Sequence, residues 1–212
     1  MSNKKRYERP IITKHHSGLM NKFGSGPSTK VVSSIDGVPV KQLIEEYGSP
    51  LFVLSESTIR KNQRTANRVF KTRYPKVQFA WSYKTNYLDA VCSVFHQEGS
   101  WAEVVSEFEY DKARKLGIKG ANIIFNGPDK SREAILKAVK DGASLHIDHF
   151  DELYDIIDLC NEHQLKARVA IRVNFDVGVY PLWDRFGFNY ENGEAWQAIK
   201  RIMMESNLTL AG

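Results

Sequence analysis

One pattern constrains this chain more than any other. From residue 77 onward, short apolar runs alternate with amphipathic stretches. Residues 77–82, 101–105, 122–125, 144–147 and 166–173 are short, apolar-rich and bounded by turn residues, as strands are. Residues 87–97, 107–116, 131–140 and 150–163 have helical spacing, and Leu153, Ile156, Ile157 and Cys160 share one face of the last of these. Gly117 and Gly142 stand where helices should stop. A looser stretch then leads to a helix at 194–204 and the start of a strand at 208–210. Such alternation predicts a parallel sheet with helices outside it. No glycine-rich dinucleotide fingerprint and no phosphate-cradling loop opens any of the helices, so a (β/α)8 TIM barrel is expected over a doubly wound sheet. A closed barrel takes eight units in about 250 residues. This chain supplies five and the start of a sixth, so the barrel is expected to be incomplete, or else the sheet open.

Ahead of the alternation, residues 50–55 read as a strand after the turn at Gly48-Ser49. Residues 57–73 read as a helix capped by Ser55 or Ser57, with Ile59, Ala66, Val69 and Phe70 near one face. Residues 1–34 are rich in Gly, Ser, Lys and His and read as a weakly structured extension. The barrel portion is placed at 35–212.

Composition narrows the function classes. The chain has 212 residues, 42% apolar and 26% charged, which is globular composition. The net charge of +5 is concentrated in Lys4, Lys5, Arg6, Arg9, Lys14, Lys22 and Lys30, opposed in that segment by Glu8 alone. No aromatic-basic interleaving accompanies it, so a solvated arm is expected and no nucleic-acid partner. Cys92 and Cys160 have neither metal-ligand nor disulfide-framework spacing, and no metal site is expected. The basic N-terminus leads into no apolar run and no stretch could span a membrane, so a cytoplasmic protein with no membrane partner is expected.

In parallel α/β folds, ligands bind where strands end at their C-termini. The expected strands end in Ser82-Tyr83-Lys84-Thr85-Asn86, in Ser106 with Glu107 and Glu109, in Asn126-Gly127-Pro128-Asp129-Lys130-Ser131, in Asp148-His149, and in Arg172 with Asn174. Ser131 reads as a helix cap. Lys84, preceded by Ala80, Trp81, Ser82 and Tyr83, is expected to be partly buried. A desolvated lysine loses its proton more easily and becomes a nucleophile for a carbonyl; a salt-bridged or snorkelling lysine is the bland alternative.

At these positions the sequence resembles a family. Tyr83-Lys84-Thr85-Asn86 resembles the cofactor-lysine motif of the fold-type III pyridoxal-phosphate-dependent decarboxylases, the diaminopimelate and ornithine decarboxylase family. Further stretches resemble it in order: residues 36–55 with Tyr47-Gly48-Ser49-Pro50-Leu51-Phe52-Val53, Glu103-Val104-Val105-Ser106 with Glu109, and residues 125–131. Ile147-Asp148 with Glu152-Leu153, Arg172-Val173-Asn174, and Asp184-Arg185-Phe186-Gly187 follow. The resemblance implies a TIM barrel of the alanine racemase/decarboxylase type and pyridoxal 5'-phosphate held by Lys84 as an internal aldimine. It implies decarboxylation of a small-molecule amino acid, diaminopimelate-like or basic, with Lys84 then free to donate a proton. It further implies Ser106, Glu109 and Arg172 at the cofactor and a homodimer of the full-length protein. A racemase or cofactor carrier on the same barrel and a non-catalytic regulatory relative are the alternatives. Two features depart from the family: Glu103 stands for its usual Asp, and Glu107-Phe108 for its two glycines. The ring-stacking histidine, phosphate loop, pyridine-nitrogen carboxylate and C-terminal β-domain are expected beyond Gly212, and His146, His149 and His163 fall too early to be that histidine. The 212-residue chain alone is accordingly expected to be inactive.

Overall fold

Apolar runs flanked by amphipathic stretches must bury one face, and the computed structural model shows how they do so. It describes residues 32–178 and 185–212; the expectations placed on residues 1–31 and on Asp184 lie outside them. The chain divides into two units, Met1–Leu54 and Ser55–Gly212. The division thus falls after Leu54, whereas the sequence reading began the barrel portion at residue 35.

In the first unit, β1 (Ser34–Ile35) pairs antiparallel with β2 (Val38–Pro39) across a turn at Asp36 and Gly37, and α1 (Val40–Tyr47) follows. Residues 50–54, expected to be a strand, form none. The β-branched and aromatic content there is a preference only, and a strand needs a partner to bond its exposed amides. Phe52 is 99% exposed.

The second unit opens with α2 (Glu56–Lys71), whose first turn is capped by Ser55 accepting from the Thr58 N–H at 3.1 Å. Then strands and helices alternate: β3 (Ala80–Ser82), α3 (Asp89–Gln97), β4 (Trp101–Val104), α4 (Glu107–Lys115), β5 (Ile123–Phe125) and α5 (Arg132–Lys140). Next come β6 (Ser144–Ile147), α6 (Phe150–Glu162), β7 (Ala167–Ile171), the two-residue strands β8 (Val173–Asn174) and β9 (Phe188–Asn189), α7 (Glu194–Met204) and β10 (Leu208–Leu210). β8 and β9 pair with each other in a separate parallel ribbon.

The main sheet is all parallel, in the order β3-β4-β5-β6-β7-β10. Each strand lies beside the one before it, with no reversal of direction across the sheet. A doubly wound fold needs such a reversal, because its ligand crevice forms where the strand order turns back. Sequential order is that of a barrel, six of whose eight strands are present, so the expected partial (β/α)8 architecture is correct. β3 begins three residues later than expected, since β4 pairs only with Ala80, Trp81 and Ser82.

Alternation along the strands sorts their side chains onto two faces. Ala102 and Val104, Ile123 and Phe125, Leu145 and Ile147, and Val169 are fully buried under the helices. They pack with Tyr110, Ala113, Ile135, Ala138, Leu153, Ile156 and Ile202 from α4, α5, α6 and α7. Cys92 and Cys160, both on helices, are buried free thiols. The opposite face starts from the row Ser82, Glu103, Ile124, Ser144 and Arg168, aligned by the strand register. Continuing each strand by two residues on this face brings up Lys84, Asn126, His146 and finally Asp148 and Arg172. The chemistry sits on this polar side.

Candidate active site

Lys84 lies in the turn two residues past β3 and is exposed, not partly buried as the sequence reading expected. The neighbour before it accounts for this. Tyr83 takes the inward position, fully buried among the helices, and the alternation turns Lys84 to the open face. Tyr83 is anchored through its hydroxyl, 2.7 Å from Nε2 of His96. Nδ1 of His96 lies 2.9 Å from the Ser100 carbonyl, which can only accept. The Nδ1 proton therefore points at Ser100, and Nε2 accepts from Tyr83. Burial holds the His96 pKa below its ordinary value, in keeping with this neutral ring. The cofactor-lysine candidate is thus an exposed amine on a turn anchored by Tyr83.

Ser106 and Glu109 open α4 together. The Ser106 hydroxyl accepts from the Glu109 N–H at 3.3 Å, and Glu109 Oε2 accepts from the Val105 N–H at 2.8 Å. This reciprocal arrangement is close to a capping box. The same device recurs at α6: His149 Nδ1 accepts from the Glu152 N–H at 3.2 Å, and Glu152 Oε2 accepts from the Asp148 N–H at 2.9 Å. The two differ in the remaining carboxylate oxygen. Oε1 of Glu152 takes the buried Lys130 ammonium at 2.5 Å, whose other protons go to the carbonyls of Gly127 at 2.6 Å and His146 at 3.0 Å. Oε1 of Glu109 has no hydrogen-bond partner among the described residues. Burial raises the Glu109 pKa, the Val105 N–H opposes that, Glu103 adds to it, and the Lys84 ammonium pulls it back. So Glu109 feels both Glu103 and Lys84, and keeps one carboxylate oxygen without a hydrogen-bond partner among the described residues.

Arg172 follows β7 and reaches Asp148 at the end of β6, Nη1 to Oδ1 3.2 Å. The Phe186 ring lies 4.8 Å beneath its guanidinium. Gly187 (φ +80) lets the backbone pass this close: a Cβ there would sit 2.8 Å from the Arg172 carbonyl oxygen and 2.9 Å from its Cγ. Gly127 does the same between β5 and β4, where a Cβ would meet the Val105 carbonyl oxygen at 2.4 Å. At both places the glycine lets the backbones of neighbouring strand ends pass close together.

Lys84, Glu109 and Arg172 therefore all serve the polar side of the sheet, with Ser106 setting the turn that delivers Glu109. Lys130 is different: the sequence placed it at the rim, but its three protons are all used inside the fold. The strand alternation also brings Asn126, expected at a strand end, and His146, which the sequence reading set aside as too early to be the stacking histidine, to this side. Among the described residues no group of three or more His, Cys, Asp or Glu could hold a metal, and no helix is long and apolar enough to cross a membrane.

A family model described as the pyridoxal-dependent decarboxylase, pyridoxal binding domain matches residues 56–212. The chain belongs to this decarboxylase family. Similar members include the diaminopimelate decarboxylase of Bacillus subtilis, 28% identical over 187 residues that cover 84% of this chain and 43% of that protein. That of Bacillus methanolicus is 31% identical over 183 residues, covering 82% and 42%. Among solved structures, the diaminopimelate decarboxylase of Methanocaldococcus jannaschii in complex with L-lysine superposes with a TM-score of 0.76 at 28% identity, over 84% of this chain and 44% of that one. The chain spans less than half the length of these relatives. The matched decarboxylase domain begins at Glu56, one residue from the division between the two structural units.

The polar residues at these strand ends fit pyridoxal phosphate. Lys84 would hold the cofactor through its exposed amine; Glu109 Oε1, without a hydrogen-bond partner among the described residues, and Arg172, paired with Asp148, would supply a carboxylate and a cation on the same side of the sheet.

Proposed function

We propose that the full-length protein is a pyridoxal-phosphate-dependent amino-acid decarboxylase acting on diaminopimelate or a basic amino acid, as a homodimer. The observation that carries this is the position of Lys84. It is an accessible amine on an anchored turn, at the C-terminal end of a barrel strand, beside the open carboxylate oxygen of Glu109, within a pyridoxal-binding domain. When bound, the cofactor supplies an electron sink for the pair left behind as carbon dioxide departs.

The chain's own residues do the rest. Lys84 binds the cofactor and, once released from it, carries a proton on Nζ. Glu109 offers that ammonium a carboxylate oxygen that has no other partner among the described residues. Arg172, braced by Asp148 and Phe186, holds a fixed positive charge that binds a cofactor oxygen or orients a residue that does. Ser106 contributes by fixing the first turn of α4.

Full-length protein mixed with pyridoxal phosphate is expected to turn yellow and to release carbon dioxide from diaminopimelate or lysine. Lys84→Ala is expected to remove both the visible band and the gas release. A wild type that stays colourless refutes the proposal. A coloured protein that releases no carbon dioxide from any basic or dicarboxylic amino acid supports a racemase or cofactor carrier on the same barrel.

A further inference from the structure

Asn174 stands at a strand end beside Arg172, and the proposed reaction gives it no task. Its carboxamide is nevertheless fully committed. Nδ2 donates to successive carbonyls of another segment, that of Phe186 at 2.8 Å and that of Gly187 at 3.1 Å. A carbonyl can only accept, so the amino end of the side chain must face them and its oxygen must face away. That oxygen accepts from Asn189 Nδ2 at 2.8 Å. Asn189 Nδ2 also donates to Glu191 Oε2 at 2.9 Å, and the Asn189 side-chain oxygen accepts from the Asn192 N–H at 2.7 Å.

These side chains secure a ribbon with little backbone pairing of its own. In β8 and β9, Val173 lies opposite Phe188 and Asn174 opposite Asn189. The Phe188 N–H donates to the Arg172 carbonyl at 2.8 Å, and the Tyr190 N–H to the Asn174 carbonyl at 2.9 Å. So short a ladder is weak by itself. Phe188 is buried, edge-on to the Phe150 ring at 4.9 Å, and Asn174 clips the two residues just before it.

The residues that Asn174 clips are the ones that touch Arg172. The Phe186 ring centre lies 4.8 Å from the Arg172 guanidinium, and Gly187 passes so close that a Cβ would meet Arg172 Cγ at 2.9 Å. Asp148 takes one edge of the guanidinium. An arginine has many rotamers, and a single carboxylate leaves much of its stem free. The Arg172 side chain is 41% exposed, so burial does not fix it either. The ring and the glycine supply the remaining walls, and both belong to the clipped segment.

We propose that Asn174 is a positioning residue: through Phe186 and Gly187 it holds the Arg172 guanidinium where that charge serves the cofactor. This rests on the decarboxylase reading for its use, and on the contacts alone for its existence. Asn189 is the brace that keeps the Asn174 carboxamide turned toward the two carbonyls. Neither asparagine takes part in a bond that forms or breaks.

Asn174→Asp keeps the shape but sets an oxygen, which cannot donate, against two carbonyls. In the full-length protein it is expected to raise the pyridoxal-phosphate dissociation constant about tenfold, the scale of one misplaced hydrogen bond to a charged group. Asn189→Ala leaves Asn174 its carbonyls and is expected to raise it less. In an Arg172→Met background, Asn174→Asp is expected to add almost nothing, since the cation it places is gone. Additive effects overturn the proposal, as does a lowered melting temperature with an unchanged dissociation constant. Should Asn174→Asp fail to fold, Asn189→Ala carries the same comparisons. NMR relaxation of the Arg172 Nε–H, read without cofactor, is expected to show a side chain held in wild type and mobile in Asn174→Asp. An Arg172 equally ordered in wild type and both asparagine variants overturns the clamp, whatever the protein binds. A wild type that binds no pyridoxal phosphate, with Arg172 freed by Asn174→Asp, overturns the decarboxylase reading and leaves the clamp standing.

Discussion

Lys130 and Glu152 form a buried ion pair whose loss is energetically costly. Their side chains are 0% and 3% exposed, and each completes its hydrogen bonding only through the other and the adjoining backbone. Removing one member strands a buried charge, which costs about 3–5 kcal/mol. Lys130→Met is therefore expected to lower the unfolding free energy from urea denaturation by that amount, whereas the double change Lys130→Met with Glu152→Leu should recover much of the loss. Equal destabilisation by the single and double variants would refute this account. The pair also shows where residue-level reading stops. Polar residues clustered at strand ends were legible as a rim, and that found Lys84, Glu109 and Arg172. Which of them turn outward depends on strand parity, fixed only once β3 begins at Ala80 and Tyr83 goes inward. The same parity brings His146 to the polar side, whereas Lys130, in the loop past β5, is drawn into the fold by Glu152 and two carbonyls.

Helix starts were the most readable elements, because their chemistry is local. Ser131 accepts from the Ala134 N–H at 3.1 Å, as its position before residues 132–140 predicted, and Ser55 and Ser106 do the same for their helices. Ser131→Ala is expected to cost about 1 kcal/mol of stability, with no effect on cofactor affinity. Ser106→Ala should cost a similar amount but also weaken pyridoxal-phosphate binding, because Glu109 leaves with the turn. Paired urea denaturation and cofactor titration separate the two, and an unchanged dissociation constant for Ser106→Ala would assign that serine to capping alone. Strands were less readable than helices. Residues 50–54 have strand composition and no partner, and the run at 77–82 contributes only its last three residues to the sheet. Pairing is decided across the molecule, by a neighbour the local sequence does not contain.

For the second unit as a whole, acid should be the weak side. Arg64 and Arg60 hold the Glu98 carboxyl down to about 2, tying α2 to the end of α3. A depressed carboxyl pKa contributes stability above the ordinary value of 4.5, and that contribution is lost as pH falls toward 2. His96, lowered by burial, acts in the same sense one step higher: the unfolded ring takes up a proton near 6.5 that the folded ring resists. Stability is therefore expected to fall on acidification in two stages, the upper removed by His96→Gln and the lower by Glu98→Gln. Denaturation midpoints measured across pH check this, and a wild-type curve flat from pH 7 to pH 3 would contradict it. The strand order has a different kind of consequence. Each strand of the main sheet bonds to the strand made just before it, so no early strand waits for a late one. On the ribosome, where the chain emerges from its N-terminus, β4 can dock on β3 before β5 exists, and each further strand-helix unit adds to a finished edge. The sheet can thus be assembled in the order in which it is translated, and its growing edge is always the newest strand.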